Sequence, residues 1–497
     1  MKRNITFSAL VLLIVMVFTS CNKDLLDPTP RTAISDKTAF ETRDRIVGQV
    51  NGIYAAFKNG QYLGGRYLVY NDIRSDDFLN LQQNGVTGLL TWGHNVTPST
   101  NEVQNLWEAV YAAIGRVNLF LDGMEENKQN ILSKNLLTEA EFNQFKGEAL
   151  ALRGLAYFHL SQLYARPLKQ GDNGLGMVLR LKFVKSGAEN DMARATIGET
   201  YQRILTDLND AEGLLPAVSG NNTPATVTRI QKSSVAAIKS RVYLHMENWD
   251  KVIEEANKLV SANAPFTAPS GVAYALADNF ESIFRPPYTT SESIFSMPMA
   301  ATELPGTQNG LAHYFSVSKT GMQIGNNEYP INQQSVVWTS TDFAADDFRK
   351  TFVEPHTIGG TPHIFLKKYM SFPHTDWVPV IRYAEVLLNL AEAEAMKAWP
   401  SQRAVALLNA VYKRSNPNAA DLAVGSFANR DAFINRLMLE RNLEFLGEGI
   451  RSMDVTRKLA PFAAKGTVQA VPVTSVAYVW PIPQTELNTN LLVVQNP

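Results

Sequence analysis

Cysteine is almost missing from this 497-residue chain; the one present is Cys21. A protein built for export without a second thiol has no disulfides, so a large apolar interior must supply its stability. With 45% hydrophobic residues the composition allows that, and the length predicts two or three packing units. An excess of basic charge is also absent. Without Lys2 and Arg3 of the leader the 46 basic residues become 44 against 47 acidic ones, a net charge near −3, and no basic run interrupts this balance. Nucleic acid is therefore excluded as a partner. Catalytic spacings are missing as well: no H-E-x-x-H, no G-x-S-x-G and no G-x-x-x-x-G-K-[ST] occurs. Gly174 and Gly176 lack a third glycine, and His356, His363 and His374 lie 7 and 11 apart, unlike a compact metal site. Asp76 and Asp77, the paired carboxylates nearest to glycosidase chemistry, are adjacent loop acids of the kind found in turns. No catalytic residue, metal ligand or cofactor is assigned, and the chain is read as a non-enzyme.

Long apolar runs are limited to residues 5–18, after Lys2 and Arg3 and before Thr19, Ser20 and Cys21. Fourteen helical residues span about 21 Å, too short for a hydrocarbon core of about 30 Å, so residues 1–20 read as a signal peptide. Cys21 directly follows two small residues, a pattern that resembles a lipobox. Acylated there, the mature chain would be held by several acyl chains, with 21–31 and its Pro28 and Pro30 as a tether.

What is present is helical period. Phe40, Val47, Val50, Ile53, Tyr54 and Phe57 predict a first helix; Val103, Trp107, Val110, Ile114, Val117 and Leu121, spaced 4, 3, 4, 3 and 4, predict another. Thr138 and Glu141 form a capping box for a helix over 138–166, and 197–215 follows. Residues 231–246 with 249–263, and 381–396 with 401–414, have the helix, turn, helix form of tetratricopeptide units. The expected fold is mainly α, a scaffold of such pairs with long aromatic-rich loops and a few short strands, such as 294–297 and 365–370. Two loop regions stand out: 60–100, where helical pattern stops for about forty residues, and 265–380, rich in Pro, Gly, Asn and aromatics.

The most organised stretch is 435–458, NRLMLERNLEFLGEGIRSMDVTRK. Leu439, Leu443, Leu446, Ile450 and Met453 make one apolar stripe, and Arg441 with Glu444, Glu448 with Arg451, Arg451 with Asp454, and Asp454 with Arg457 are opposite charges three apart. The reading is one helix, with Gly447 and Gly449 requiring a tightly packed face and the charges serving as a buried scaffold. This stretch resembles the C-terminal signature of the SusD/RagB family, R-x-x-E-L-x-x-E-G-x-R-x-x-D-L-x-R. Arg441, Glu444, Glu448, Gly449, Arg451, Asp454 and Arg457 are in step; Phe445 and Val455 replace leucines. IRYAEVLLNLAEAEA resembles R-x-A-E-V-x-L-x-x-A-E-A of the same family, and the final PIPQTELNTNLLVVQNP resembles its closing motif.

The resemblance implies a surface-exposed, lipid-anchored nutrient-binding protein of the Bacteroidetes outer membrane, partnered with a TonB-dependent (SusC-like) transporter. It divides the mature chain into an N-terminal helical region, 32–263, carrying the candidate ligand loop 60–100, and a C-terminal region, 264–497, carrying the insertion 265–380 and the signature helices 381–458. A sugar offers an apolar C–H face for an aromatic ring and hydroxyls for Asp, Asn or Arg. Starch-binding members have a Trp-x-x-Asn pair with an upstream Asp in the glycan site, which implies ligand-binding roles for Trp92, Asn95 and Asp72; Tyr288 and Trp338 are the second-loop candidates. The competing reading makes Trp92 a packing anchor, Asn95 a turn residue and Asp72 a cap. A peptide ligand and a helical-repeat scaffold without small ligand are the alternative functions.

Overall fold

In a computed structural model, residues 38–319 and 324–497 are described. The expected signal peptide, Cys21 and the tether lie outside the described residues. The helices that build the scaffold are α1 (Arg43–Phe57), α2 (Arg66–Ile73), α3 (Leu89–Trp92), α4 (Asn101–Glu126), α5 (Glu139–Tyr164), α6 (Ile197–Leu214), α7 (Lys232–His245), α8 (Trp249–Asn257), α9 (Tyr383–Lys397), α10 (Gln402–Ser415), α11 (Arg430–Phe445) and α12 (Arg451–Arg457). From α4 to α10 each packs on the next, so the expected pairs α7/α8 and α9/α10 stack through α8 against α9. Among the described residues no helix is long and apolar enough to cross a membrane.

Local chemistry sets the ends. Thr138 accepts from the Glu141 N–H while Glu141 accepts from the Thr138 N–H at 2.9 Å, and Thr196 with Glu199 repeats the box at α6. Every residue of α5 from Gly147 onward is buried, which makes it the central rod of the core. Gly154 allows α6 to lie close, since a Cβ there would stand 3.1 Å from the Ile204 carbonyl oxygen.

The 265–380 region contains four strands in two antiparallel pairs: β1 (Ser293–Met297) with β4 (Val378–Arg382), and β2 (Val353–Ile358) with β3 (Thr361–Leu366). β3 ends at Leu366, short of the expected 370. The β2–β3 turn is Gly359-Gly360, both at positive φ as a two-residue hairpin requires. β4 runs straight into α9, so Arg382 sits where strand becomes helix, opposite Ser293 and next to Glu292.

Two expectations need correction. The 60–100 interval is not structureless: it holds α2, all eight of whose residues are buried, and the single turn α3. A helix buried on every side has no polar face and hence no stripe to read. The signature is not one helix either. It breaks over residues 446–450, with Gly447 at φ 84° and Gly449 at φ 76°, conformations that side-chain-bearing residues rarely adopt.

Candidate functional site

The broken signature is a wedge. A Cβ on Gly449 would lie 2.6 Å from the Leu68 Cα of α2, and one on Gly447 2.3 Å from Leu366 Cδ2 of β3. The Gly449 N–H donates to Asp72 Oδ2 at 2.9 Å, and the Tyr369 hydroxyl donates to the Gly447 carbonyl at 3.0 Å. Around it lies a buried ion network. Arg382 donates to Glu448 (2.8 Å), Glu444 (2.6 Å) and Glu292; Arg414 reaches Glu292 (2.8 Å) and Glu444; Arg349 reaches Asp347 (2.7 Å) and Glu440 (2.6 Å); Lys368 reaches Glu448 (2.6 Å); Arg436 reaches Glu440 (2.9 Å). Five cations face five carboxylates, so the cluster is neutral and its hydrogen bonds are charge-assisted. Burial alone would raise the Glu444 carboxyl, but the Arg414, Arg382 and Arg349 charges hold it well below the usual carboxylate range. Phe445, one of the two departures from the signature, lies under the Arg382 guanidinium at 4.5 Å. Of the four expected charge pairs, Asp454 with Arg457 forms at 2.7 Å; Arg441 instead takes Asp454, Glu444 and Glu448 take Arg382, and Arg451 faces Asp76 and Asp77.

Beyond the wedge the chain makes a hairpin over residues 462–471, with Phe462 exchanging backbone bonds with Val471 and Lys465 with Val468. Gly466 takes its turn at φ 52°. Between this hairpin and α3 lies a cavity of about 560 Å³, lined by Leu89, Leu90, Trp92, Gly93, His94, Asn95, Thr467, Val468, Gln469, Ala470, Val471 and Ala477. That volume is in the range of small-molecule sites. No carboxylate, ammonium or guanidinium lines it. His94 is uncharged too: burial, the Lys465 ammonium and the Arg74 guanidinium push its imidazole down to about 3. Asn95 and Gln469 expose their amides and Thr467 its hydroxyl, beside apolar Leu89, Leu90 and Val468. The chemistry on offer is neutral donors and acceptors beside aliphatic surface.

Residues 24–244 match a family described as starch-binding and associating with the outer membrane, and residues 367–497 match the SusD family. A solved structure of a SusD superfamily protein from Bacteroides fragilis is 32% identical, with a TM-score of 0.80, over 92% of this chain and 99% of that one. The chain belongs to the SusD/RagB family. A further SusD/RagB relative, SusD-like protein P2 of Formosa agariphila, is 24% identical over 92% of this chain and 90% of its own length. A solved laminarin-binding SusD-like protein is 19% identical and shares the fold at a TM-score of 0.71, covering 92% of this chain and 99% of its own.

Within this SusD/RagB fold the sequence-nominated residues separate. Trp92 and Asn95 meet at the cavity, Asn95 exposed and Trp92 forming the floor. The indole is 8% exposed, donates Nε1–H to the Phe78 carbonyl at 2.9 Å and carries Lys465 Nζ 5.6 Å from its ring centroid. It is thus packed on its faces and anchors the loop, while its rim borders the cavity. Asp72 is 1% exposed and holds Gly449, with burial pushing its carboxyl well above its ordinary value against the opposing Gly449 N–H. It offers a ligand no surface, which corrects the role expected for it. Tyr288 is buried against Trp377, their rings stacked at 5.2 Å, and is not part of this cavity's lining. Trp338 is half-buried on Phe343, also outside the lining. Sequence reasoning missed Thr467, Val468 and Gln469. The signal was Gly466 between β-compatible residues, a hairpin turn whose far strand forms the second wall.

Proposed function

We propose that this SusD/RagB protein captures an uncharged oligo- or polysaccharide at the cavity between α3 and the 462–471 hairpin and delivers it to a TonB-dependent, SusC-like transporter. In this reading the protein sits on the outer face of the outer membrane, anchored through acyl chains on Cys21. The observation that carries the proposal is the uncharged lining, where the Asn95 and Gln469 amides and the Thr467 hydroxyl stand beside aliphatic side chains. A neutral sugar satisfies such groups without leaving a buried ion unpaired, whereas a uronate or sulfated chain would lose hydration with no countercharge to meet it. Capture and release involve no bond cleavage, and no catalytic role is assigned. The solved laminarin-binding SusD-like protein supports the saccharide class.

Affinity electrophoresis of the soluble protein in gels containing laminarin, soluble starch, galactomannan, arabinoxylan or alginate tests the reading. Retardation by at least one of the four neutral polymers and not by alginate is expected; retardation by alginate alone refutes an uncharged ligand.

A further inference from the structure

A second cavity, of about 310 Å³, also borders the 462–471 hairpin, at Phe462 and Ala463. Its walls come from α11, α12, the 75–76 segment and Val336, so residues of both loop regions line it. Two of its charged groups are unspent, and that sets them apart from their neighbours. Arg441 Nε holds Asp454 at 2.8 Å, and Arg457 holds Asp454 and Glu392 at 2.7 Å each. Arg451, in the same signature, stands 3.8 Å from Asp76 Oδ1 and 3.7 Å from Asp77 Oδ2, beyond hydrogen-bond reach, and its Nε is buried with no partner. Asp77 spends its oxygens on Ser75 and Asn442. Asp76 does not: its side chain is 8% exposed, and among the described residues that 3.8 Å approach is its one close ionic contact. Its carboxylate therefore keeps acceptor capacity for a donor that enters the cavity.

We propose that this cavity is a second saccharide-binding site, in which ligand hydroxyls donate to Asp76 and accept from Arg451; it rests on the glycan reading above. A hydroxyl is both donor and acceptor, so it can bridge a carboxylate and a guanidinium that stand too far apart to bond each other. Asn435, exposed at the mouth, adds an amide, and Val336, 62% exposed, with Met438 adds apolar surface for a sugar face. An ionic ligand fits less well. The lining itself carries two cations, Arg451 and Lys458, and two carboxylates, Asp76 and Asp454, so it is neutral as a whole. With two cavities bordering one hairpin, a polysaccharide engaging both raises its own local concentration at the second.

The test compares Arg451→Gln, Asp76→Asn and Asn95→Ala in gels of the same four neutral polysaccharides, with melting curves for each variant. Arg451→Gln and Asp76→Asn are expected to weaken retardation by the polymer that binds the parent protein about tenfold, the scale of a hydrogen bond to a charged group. If either variant fails to fold, the surface changes Val336→Asp and Asn435→Ala decide, each expected to weaken retardation at unchanged melting temperature. Parent-like retardation of the second-cavity variants alongside weakened Asn95→Ala overturns the second site and leaves the first standing. Failure of all four polymers to retard the parent protein overturns both. Diglycine binding by calorimetry, lost in Arg451→Gln, would show the cavity to be a zwitterion site and overturn the saccharide assignment.

Discussion

Replacing Trp92 by Ala separates two roles that one residue can be given. The indole fills the space between α3 and the hairpin, 8% exposed, with its N–H bonded to the Phe78 carbonyl at 2.9 Å and Lys465 over one face. Truncation removes most of a large aromatic and leaves a void that packed neighbours refill only in part, a cost of about 3 to 5 kcal/mol. The freed Phe78 carbonyl adds roughly 1 kcal/mol if no water reaches it. Calorimetric melting of Trp92→Ala should therefore show a midpoint several degrees lower, with weaker glycan binding as an indirect effect. Asn95→Ala is the control: its amide is exposed, so stability should hold while affinity falls roughly threefold to tenfold. A Trp92→Ala protein that melts like the parent yet loses glycan affinity a hundredfold would refute this reasoning and restore the ring as a stacking platform.

Gly449→Ala places a methyl 2.6 Å from the Leu68 Cα at φ 76°, and should destabilise by more than about 2 kcal/mol in denaturant titration; parent-like stability would mean the wedge relaxes freely. Burial raises the Glu392 carboxyl, but Arg457 and Lys458 outweigh it and hold it down to about 2. Its contribution, on the order of 3 kcal/mol, is complete above about pH 4.5 and is lost as pH falls toward 2, so acid titration of stability should steepen there and flatten in Glu392→Gln. Cys21→Ala should release the protein from outer-membrane fractions of cells lacking the transporter; continued pelleting with membranes refutes lipid anchoring. Gentle cross-linking under inducing growth should recover a co-purifying β-barrel of larger mass, and its absence favours the helical-repeat scaffold.

Amphipathic elements were legible in the sequence because one face meets water. The stripe of α4 and the capping box of α5 stand where the residues put them, as do the pairs α7/α8 and α9/α10. Elements enclosed on every side were not. In α2, Arg66, Asn71 and Asp72 are as buried as Leu68 and Val69, so polarity there reports partners in distant chain segments. The signature showed its charges but not their pairing, because Arg382, Arg349 and Lys368 come to Glu444, Glu440 and Glu448 from 62 to 91 residues away. The candidate site was half visible for the same reason. Trp92 and Asn95 share a local motif, while Thr467 and Gln469 reach the cavity only through the hairpin.

The bond from Gly449 to Asp72 and the contact of Asn442 with Asp77 join positions 377 and 365 residues apart. Two stretches, 38–244 and 367–497, are thus tied together by Asp72 and Asp77 of the first. A gene exchange between relatives that swapped one stretch alone would bring together halves whose carboxylates and glycine turn had not been matched to each other. On the saccharide reading proposed above, new ligand preferences would come more easily from changes in the hairpin and the rims of the two cavities than from recombining halves.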